Sequence, residues 1–217
     1  MRRLLLVPLL ALATLPWQRG DAQIIRSGRF GASDPRLWVS GGVGLQQGWT
    51  VIDGTTGVRW DFSDAAQYGA AIEKTINGGT SLGIRATTSR ASLNYFPYVL
   101  GGGSREADAR VSQAFAVLHV SSGRGLHSVL ELGAGATIYS DFRERGTKST
   151  LPPAKLDADF AFVFGYGIGY TFSRAMQVDV VQDLATSLHQ KAGLAAGESS
   201  SARISGTRVV ARFGLGG

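Results

Sequence analysis

The sequence has no cysteine, only six prolines and only three histidines among its 217 residues. Without cysteine the chain can form neither disulfides nor thiol-ligated zinc or iron–sulfur sites, and it has no thiol nucleophile. Charged residues make up 18% of the chain, below the roughly 25% of a typical soluble domain. Glycine is in excess: the 30 residues are about twice the usual share of ~7%. This composition is unusual for a soluble enzyme.

The first 22 residues have the features of a secretory signal peptide. A short basic segment, Met1-Arg2-Arg3, precedes an apolar run over residues 4–15, which is too short to anchor the chain across a bilayer. Small residues at positions 20 and 22 predict cleavage after Ala22, whereas a rival A-x-A motif at 11–13 lies inside the apolar run. We expect export, with residues 1–22 removed and residues 23–35 forming a periplasmic lead. An exported chain without cysteine is typical of a bacterial envelope protein.

After residue 23 no apolar run reaches the roughly 18 residues of a transmembrane helix, but alternation with a period of two is frequent. The clearest case is 158–172, where large residues occupy one face and mostly glycine and alanine the other. The large residues are Phe160, Phe162, Phe164, Tyr166, Ile168, Tyr170 and Phe172. Since glycine and alanine solvate poorly, the pattern predicts an aromatic face turned to lipid and a crowded interior.

Eight segments show this alternation, at about the ~9–11 residues that a tilted membrane strand requires. They are 37–48, 68–76, 80–89, 111–121, 126–140, 158–172, 175–184 and 203–215. Short links (77–79, 122–125 and 173–174) alternate with long polar ones (50–67, 90–110, 141–157 and 185–202). Strict short–long alternation predicts an all-β, eight-stranded antiparallel up-and-down transmembrane β-barrel over residues 36–217, with both termini on the short-turn side.

These features together resemble the small outer-membrane β-barrels of Gram-negative bacteria, of the OmpA-transmembrane-domain, OmpX and OmpW kind. The resemblance implies a location in the bacterial outer membrane and outer-membrane lipid as the surroundings. Residues 206–215 look like the C-terminal strand that the outer-membrane assembly machinery reads, although Phe213 is followed by four further residues, whereas family members often end on an aromatic residue. A family pattern of architecture transfers fold and location better than function.

An eight-stranded barrel has an interior that side chains fill, so the pattern argues against a general porin. The predicted inward residues carry charges of both signs, and a buried charge needs a partner. They are Glu73, Arg85, Glu131, Asp159, Asp179, Asp183, Arg208 and Arg212. Glu73 and Arg85 are expected to be diagonal neighbours across the 77–79 hairpin. Five glycines are predicted to face the lumen and to leave space for these side chains: Gly133, Gly135, Gly165, Gly167 and Gly169.

Four basic residues on the loop side are candidates for contact with lipopolysaccharide phosphates, with a solvated loop as the alternative. They are Arg90, Arg143, Arg145 and Lys148. Trp49, Tyr68, Tyr139 and Phe160 are candidates for a loop-side aromatic belt, although the register of Tyr139 is inward-facing. We expect no catalytic site, because His127 and Ser128 point to opposite faces of a strand and His189 lies in a loop. No metal, no cofactor and no nucleic-acid partner are expected, and the chain is expected to be a monomer.

The sequence leaves several functions open. The preferred one is a barrel with a largely side-chain-filled lumen and a structural or surface-interacting role. The main alternative is a narrow channel or carrier for small or hydrophobic solutes. A lipid-modifying enzyme would need a histidine, a serine and an acid at the loop-side rim, and a soluble barrel of lipocalin shape would need an apolar inside and a charged outside.

Overall fold

The computed structural model describes residues 35–53, 58–97, 103–121, 125–152, 156–189 and 201–216. The predicted signal peptide and all of the lead except Pro35 lie outside the described residues, as do positions 122–124 of one predicted turn. No helix within these ranges has the length and apolar character needed to cross a membrane.

The described chain forms ten strands. They are β1 (Leu37–Gln46), β2 (Thr50–Asp53), β3 (Val58–Phe62), β4 (Ala65–Asn77), β5 (Thr80–Phe96), β6 (Arg105–Ser121), β7 (Gly125–Glu144), β8 (Asp157–Ser173), β9 (Met176–Leu188) and β10 (Ser201–Leu215). All except β2 and β3 form a closed antiparallel ring in the order β1, β4, β5, β6, β7, β8, β9, β10, which β10 closes by pairing with β1. The predicted eight-stranded barrel is confirmed.

The outward face of the barrel carries a belt of exposed apolar side chains. Members include Val43, Tyr68, Ile72, Leu82, Ile84, Leu130, Leu132, Phe160, Phe162, Phe164, Ile168, Val180, Val209 and Phe213. A soluble monomer rarely exposes a contiguous apolar patch larger than a few hundred Å². A belt around the whole ring is therefore a lipid-facing surface, and it excludes the soluble lipocalin-like barrel, whose outside would be charged.

Several segments predicted as loops are strands. Residues 50–67 contain β2 and β3, while β5 continues to Phe96, β7 continues to Glu144 and β9 continues to Leu188. β3 pairs with the upper part of β5, so the β2–β3 hairpin extends the wall above β1 and β4. The prediction of long polar loops is wrong here, because inward apolar residues such as Trp60 and Leu93 alternate with polar residues that face water.

The interior has two halves of different character. Toward the short turns it is polar and charged, with buried residues such as Glu73, Arg85 and Arg212. Toward the loops it is an apolar core, formed by residues of β2, β3 and the upper parts of β5 to β10, among them Val51, Val111, Phe115, Val163 and Ile204. The sequence predicts the inward charges of the turn-side half, but it does not predict the extent of the apolar core at the loop side.

Candidate functional site: the filled lumen

The centre of the lumen holds an ion network built on Glu131 of β7. Arg85 of β5 donates to its Oε2 at 2.5 Å, and Arg208 of β10 donates to the same oxygen. Asp183 of β9 accepts from Arg208 Nε at 2.8 Å and from Arg85 Nη1 at 3.3 Å. The side chains of Arg85, Arg208 and Glu131 are at most 8% exposed. Each buried charge therefore has partners of the opposite sign, as burial requires.

A second cluster lies on the turn side of this network. Arg212 of β10 donates to Glu73 of β4 at 2.6 Å, and Ser81 also donates to Glu73. Arg212 Nη1 lies 2.6 Å from His119 Nε2, while His119 Nδ1 lies 3.0 Å from Glu131 Oε1. A guanidinium can only donate, so His119 Nε2 accepts and Nδ1 carries the proton that it donates to Glu131. This assigned tautomer is a neutral imidazole that joins the two clusters.

These contacts close the barrel across its width. In the ring of eight, β5 lies opposite β9 and β6 lies opposite β10. The Arg85–Asp183 and Arg212–His119 contacts therefore each span the lumen, at different heights. The joined clusters hold three arginines and three carboxylates, so their formal charge is zero with neutral His119.

The structure places all eight predicted lumen charges on the inner face, but not in one network. Asp179 lies near the turns, where it accepts from Gln177 at 2.6 Å and lies 3.7 Å from His127 Nε2. Asp159 lies at the loop side with His189. Glu73 and Arg85 are diagonal neighbours by register, since Gly83 faces Glu73 across the hairpin. Their partners nevertheless come from distant strands, which pairing rules along one hairpin do not reveal.

The five predicted lumen glycines lie on the inner face of β7 and β8. A Cβ on Gly165 would come within 2.9 Å of Asp183 Oδ1 and 3.2 Å of Glu131 Cβ. A Cβ on Gly169 would collide with Asp179 and with the His127 ring. At Gly135 and Gly167 the nearest atom is a backbone oxygen of the neighbouring strand, and at Gly133 a Cβ would meet Val117, Val163 and a backbone oxygen. The glycines thus leave room for the charged side chains and for close strand contact.

A layer of neutral polar side chains lies on the loop side of the ion network, and the sequence analysis does not predict it. Gln67 donates to Thr87 at 3.1 Å and to Gln113 at 3.4 Å, and Ser89 donates to Gln46 at 2.7 Å. Only the inward register of their strands, combined with polarity, could have indicated these residues.

An aromatic cap closes the loop-side end. The Trp49 and Phe62 rings stack at 4.4 Å, and Trp60 packs at 4.8 Å from Phe142 and 5.6 Å from Tyr139. Trp49 is 6% exposed, so its prediction as a belt residue is wrong, and Tyr139 is completely buried, as its inward register predicts. Both belong to the inner apolar core: Trp49 lies between β1 and β2, and Tyr139 lies in the loop-side part of β7.

The turn-side end of the lumen holds a cavity of about 580 Å³, lined by residues that include Trp38, His119, Gln177 and Arg212. The Arg212 guanidinium lies over the Trp38 ring at 5.0 Å, and its contact with His119 lies at the inner end of the cavity. Two smaller lumen cavities, of about 20 and 10 Å³, have room for about one water molecule each.

The four basic loop-side residues differ in how they are bound. Arg143 donates to Asp141 at 3.0 Å, and Lys148 is exposed in a turn. Arg145 donates to Asp108 at 3.0 Å. Burial raises the pKa of the Asp108 carboxyl, but hydrogen bonds from Arg145 and Ser92 outweigh it, so the pKa lies below its ordinary value.

Arg90, the fourth, faces Arg110 directly across the β5–β6 pair, and both side chains are exposed on the outer face. Two like charges in directly opposed positions repel each other. Arg90 therefore has a like charge as its direct cross-strand neighbour, and the Asp141 carboxylate acts on both Arg90 and Arg110 without a direct ion pair to either, whereas Arg143 and Arg145 each bind a carboxylate directly.

A serine, a histidine and an acid do meet at the loop side. Ser187 donates to Asp159 Oδ2 at 3.3 Å, and His189 Nδ1 lies 2.8 Å from the same oxygen. The acid therefore lies between the serine and the histidine. In a nucleophile–base pair the imidazole must itself accept the hydroxyl proton, so this arrangement is not that of a catalytic triad.

No protein-family model matches the sequence, and no curated protein matches it at a significant level. Solved structures with a similar fold include Neisserial surface protein A, which is 10% identical over 85% of this chain and 100% of that chain, with a TM-score of 0.53. The outer membrane protein OprG from Pseudomonas aeruginosa is 11% identical over 85% and 99%, with a TM-score of 0.51. The outer membrane protease OmpT from Escherichia coli is 9% identical over 85% and 99%, and its TM-score of 0.41 carries no activity over.

These likenesses concern the fold. They confirm the predicted barrel class and the predicted resemblance of the fold to small outer-membrane barrels.

Proposed function

We propose that the protein is a monomeric outer-membrane barrel with a closed lumen, and that its role is structural or surface-interacting. The observation that carries the proposal is the pair of contacts across the lumen, Arg85–Asp183 and Arg212–His119. Above them the interior is an apolar core under an aromatic cap. A continuous water path would need these groups to separate, which would leave buried charges without partners at a cost of several kcal/mol.

The alternative is a narrow channel or carrier, and the turn-side cavity is the observation that favours it. That cavity ends at Arg212 and His119, so a solute entering from the turn side would meet the ion network. A carrier would therefore need either a rearranged network or a lateral exit through the wall.

Planar-bilayer recording distinguishes the two functions. The purified barrel should give no conductance steps under conditions in which a general porin, inserted in parallel, gives them. A charge-balanced variant, Arg85→Ala with Asp183→Ala, removes one cross-lumen contact without changing the net charge, and it should also stay silent because the apolar core remains. Regular steps of defined size from the wild-type barrel would overturn the closed-lumen proposal.

We also propose that the barrel is not an enzyme. The support is the order Ser187–Asp159–His189, in which the serine hydroxyl donates to the acid, and the complete burial of Ser187. The wild-type barrel and Ser187→Ala should be equally inactive toward lipid and peptide substrates. Turnover lost in Ser187→Ala but kept in Ser173→Ala, a folded control near the turns, would contradict this.

The basic outer wall supports lipopolysaccharide as a partner, with Arg90 as the main contact. An anion between Arg90 and Arg110 would remove their mutual repulsion, and arginine binds phosphate oxygens in bidentate fashion. Arg143 and Arg145 already bind carboxylates, so they and Lys148 are proposed as weaker contacts.

Thermal unfolding in detergent tests this partner. Lipopolysaccharide should raise the Tm of the wild-type barrel more than lipopolysaccharide whose lipid A phosphates have been removed. Arg90→Gln should lose this difference, whereas Arg36→Gln on the turn side should keep it. An equal shift with both lipids would remove the phosphate contact from the proposal.

We also propose how the chain is exported and assembled. Residues 1–22 are proposed as a cleaved signal and residues 23–35 as the lead of the barrel domain at 36–217. N-terminal sequencing of protein from the membrane fraction should start at Gln23. The assembly machinery is proposed to read β10, whose ten residue pairs with β1 close the ring.

A further inference from the structure

A separate set of polar groups lies at the loop-side ends of β8 and β9, above the ion network. Asp157 and Asp159 belong to β8, and His189 directly follows β9. His189 Nδ1 lies 2.8 Å from Oδ2 of Asp159 and 3.8 Å from Oδ2 of Asp157. The three candidate ligand atoms all lie within 4.8 Å of one another. We propose that these three residues bind a divalent transition-metal ion.

The ligand types select the ion. Two carboxylate oxygens and one imidazole nitrogen form a mixed set, and imidazole suits zinc, copper, iron and nickel, whereas magnesium and calcium prefer oxygen ligands alone. Three protein ligands are also the usual number in zinc sites that keep a position for water. Two neighbouring carboxylates in a site with little solvent are stabilised by a dication. Zinc is therefore the appropriate probe.

A second observation points to the same site. The Tyr139 side chain is completely buried, and its hydroxyl makes no hydrogen bond of normal geometry within the described ranges, although the side chains of Ser187 and Trp49 lie close to it. Tyr139 is the direct cross-strand partner of Asp157, and the charges of Asp157 and Asp159 both act on its hydroxyl. A buried hydroxyl without a well-placed hydrogen-bond partner is unfavourable. A water molecule bound to the metal would supply such a partner.

The surroundings orient the ligands as metal sites require. The His189 ring packs edge-on against Trp60 at 5.1 Å and against Tyr139 at 6.1 Å, which limits its rotation. Ser187 donates to Asp159 and so holds the carboxylate. Such outer contacts fix the orientation of ligands around bound metals.

The partial exposure of Asp157 gives a metal ion access to the site. The Asp159 and His189 side chains are 3% and 5% exposed, but Asp157 is 36% exposed. An ion can therefore reach the site past Asp157 and would then be shielded by the cap. It would link β8 to β9, and because binding favours the folded state, it would raise the Tm.

Calorimetric titration of the full-length mature barrel in detergent with zinc chloride tests the site. The wild type should bind one zinc ion per barrel. Asp157→Asn and His189→Gln should each lower the affinity at least ~10-fold, because changes even to the outer contacts of metal ligands cost about 10–100-fold. His127→Gln is the matched control, since His127 is also a buried histidine near an aspartate, at the opposite end. It should leave zinc binding unchanged.

Further readouts make the test decisive. Cobalt should give visible absorption bands in the wild type that Asp157→Asn and His189→Gln lose. Heat-modifiable gel mobility verifies folding, and the partly exposed Asp157→Asn serves if His189→Gln fails to fold. The proposal would be overturned if the wild type bound no zinc, or if both ligand variants bound zinc as tightly as the wild type. Displacement of zinc by calcium at equal concentration would also overturn it. Zinc binding at the loop side does not depend on whether the lumen conducts ions. Neither the presence nor the absence of zinc binding therefore bears on the closed-lumen proposal.

Discussion

Glu131 is the residue on which the lumen network depends most. Its carboxylate contacts two arginines, Arg85 and Arg208, and also His119. Glu131→Gln keeps the shape of the side chain but removes its charge, so the network gains one uncompensated positive charge inside the barrel. Removing one partner of a buried ion pair costs about 3–5 kcal/mol. We expect the free energy of unfolding to fall by that amount.

Urea unfolding of the barrel refolded into lipid vesicles measures this loss through tryptophan fluorescence. The matched control is Glu106→Gln, which also removes a carboxylate that binds an arginine, but one whose side chain is 70% exposed. An exposed pair contributes about 0–1 kcal/mol, so this control should unfold almost like the wild type.

A double variant separates charge from packing. Glu131→Gln with Arg85→Gln restores a formal charge of zero to the network, so it should be destabilised less than the sum of the two single variants. A coupling energy of about 0.5–3 kcal/mol is expected for groups in one network. A loss of stability in Glu131→Gln no larger than that in Glu106→Gln, or simple addition of the two single losses, would contradict a coupled network around Glu131.

Three further outcomes follow from the same structure. Gly167→Ala should destabilise by about 1–3 kcal/mol, because its Cβ would meet a neighbouring backbone oxygen, whereas Gly41→Ala has open space and should be near neutral in the same urea titration. The Asp108 carboxyl has a folded pKa below its unfolded value of about 3.9. Its contribution to stability is therefore present above that pH and is lost as the pH falls through the folded pKa. The difference in stability between the wild type and Asp108→Asn should shrink in acid titrations, and a constant difference would contradict this. Phe213→Ala in the last strand should lower the amount of barrel assembled in cells while refolding in vitro persists, and Phe172→Ala, equally lipid-facing but outside that strand, should assemble normally in the same fractionation assay.

The barrel strands were predictable because lipid imposes a strict rule. Every second residue of a membrane strand must be apolar and outward, as Phe162, Phe164 and Ile168 are in β8. The alternation in length of the links then supplied the topology. The inward register of Arg85 and Asp183 followed from the same rule. Their contact did not, because 98 residues separate them and only the closure of the ring makes their strands opposite.

The segments mistaken for loops result from a change of phase within single strands. In β5, the apolar residues Leu82 and Ile84 face outward, whereas Ala91, Leu93 and Tyr95 face inward. The strand is continuous, but its outside changes from lipid to water, so the apolar positions move from even to odd numbers. A period-two pattern that loses its phase resembles the end of a strand, and for this reason the sequence predicts an end of β5 at residue 89.

This change of phase also determines how polar residues at the loop side should be interpreted. Once Trp60 and Tyr139 lie inside, the loop-side interior excludes water, and any polar group there needs a partner. In the turn-side half, the three arginines and three carboxylates of the joined clusters compensate one another, while Asp179 lies outside them beside Gln177 and His127. At the loop side, the contacts of the buried Asp159 carboxylate among the described residues are with the Ser187 hydroxyl and the His189 imidazole, and neither of these groups carries a permanent positive charge. A cation from solution would supply that charge, and the zinc titration tests this source directly.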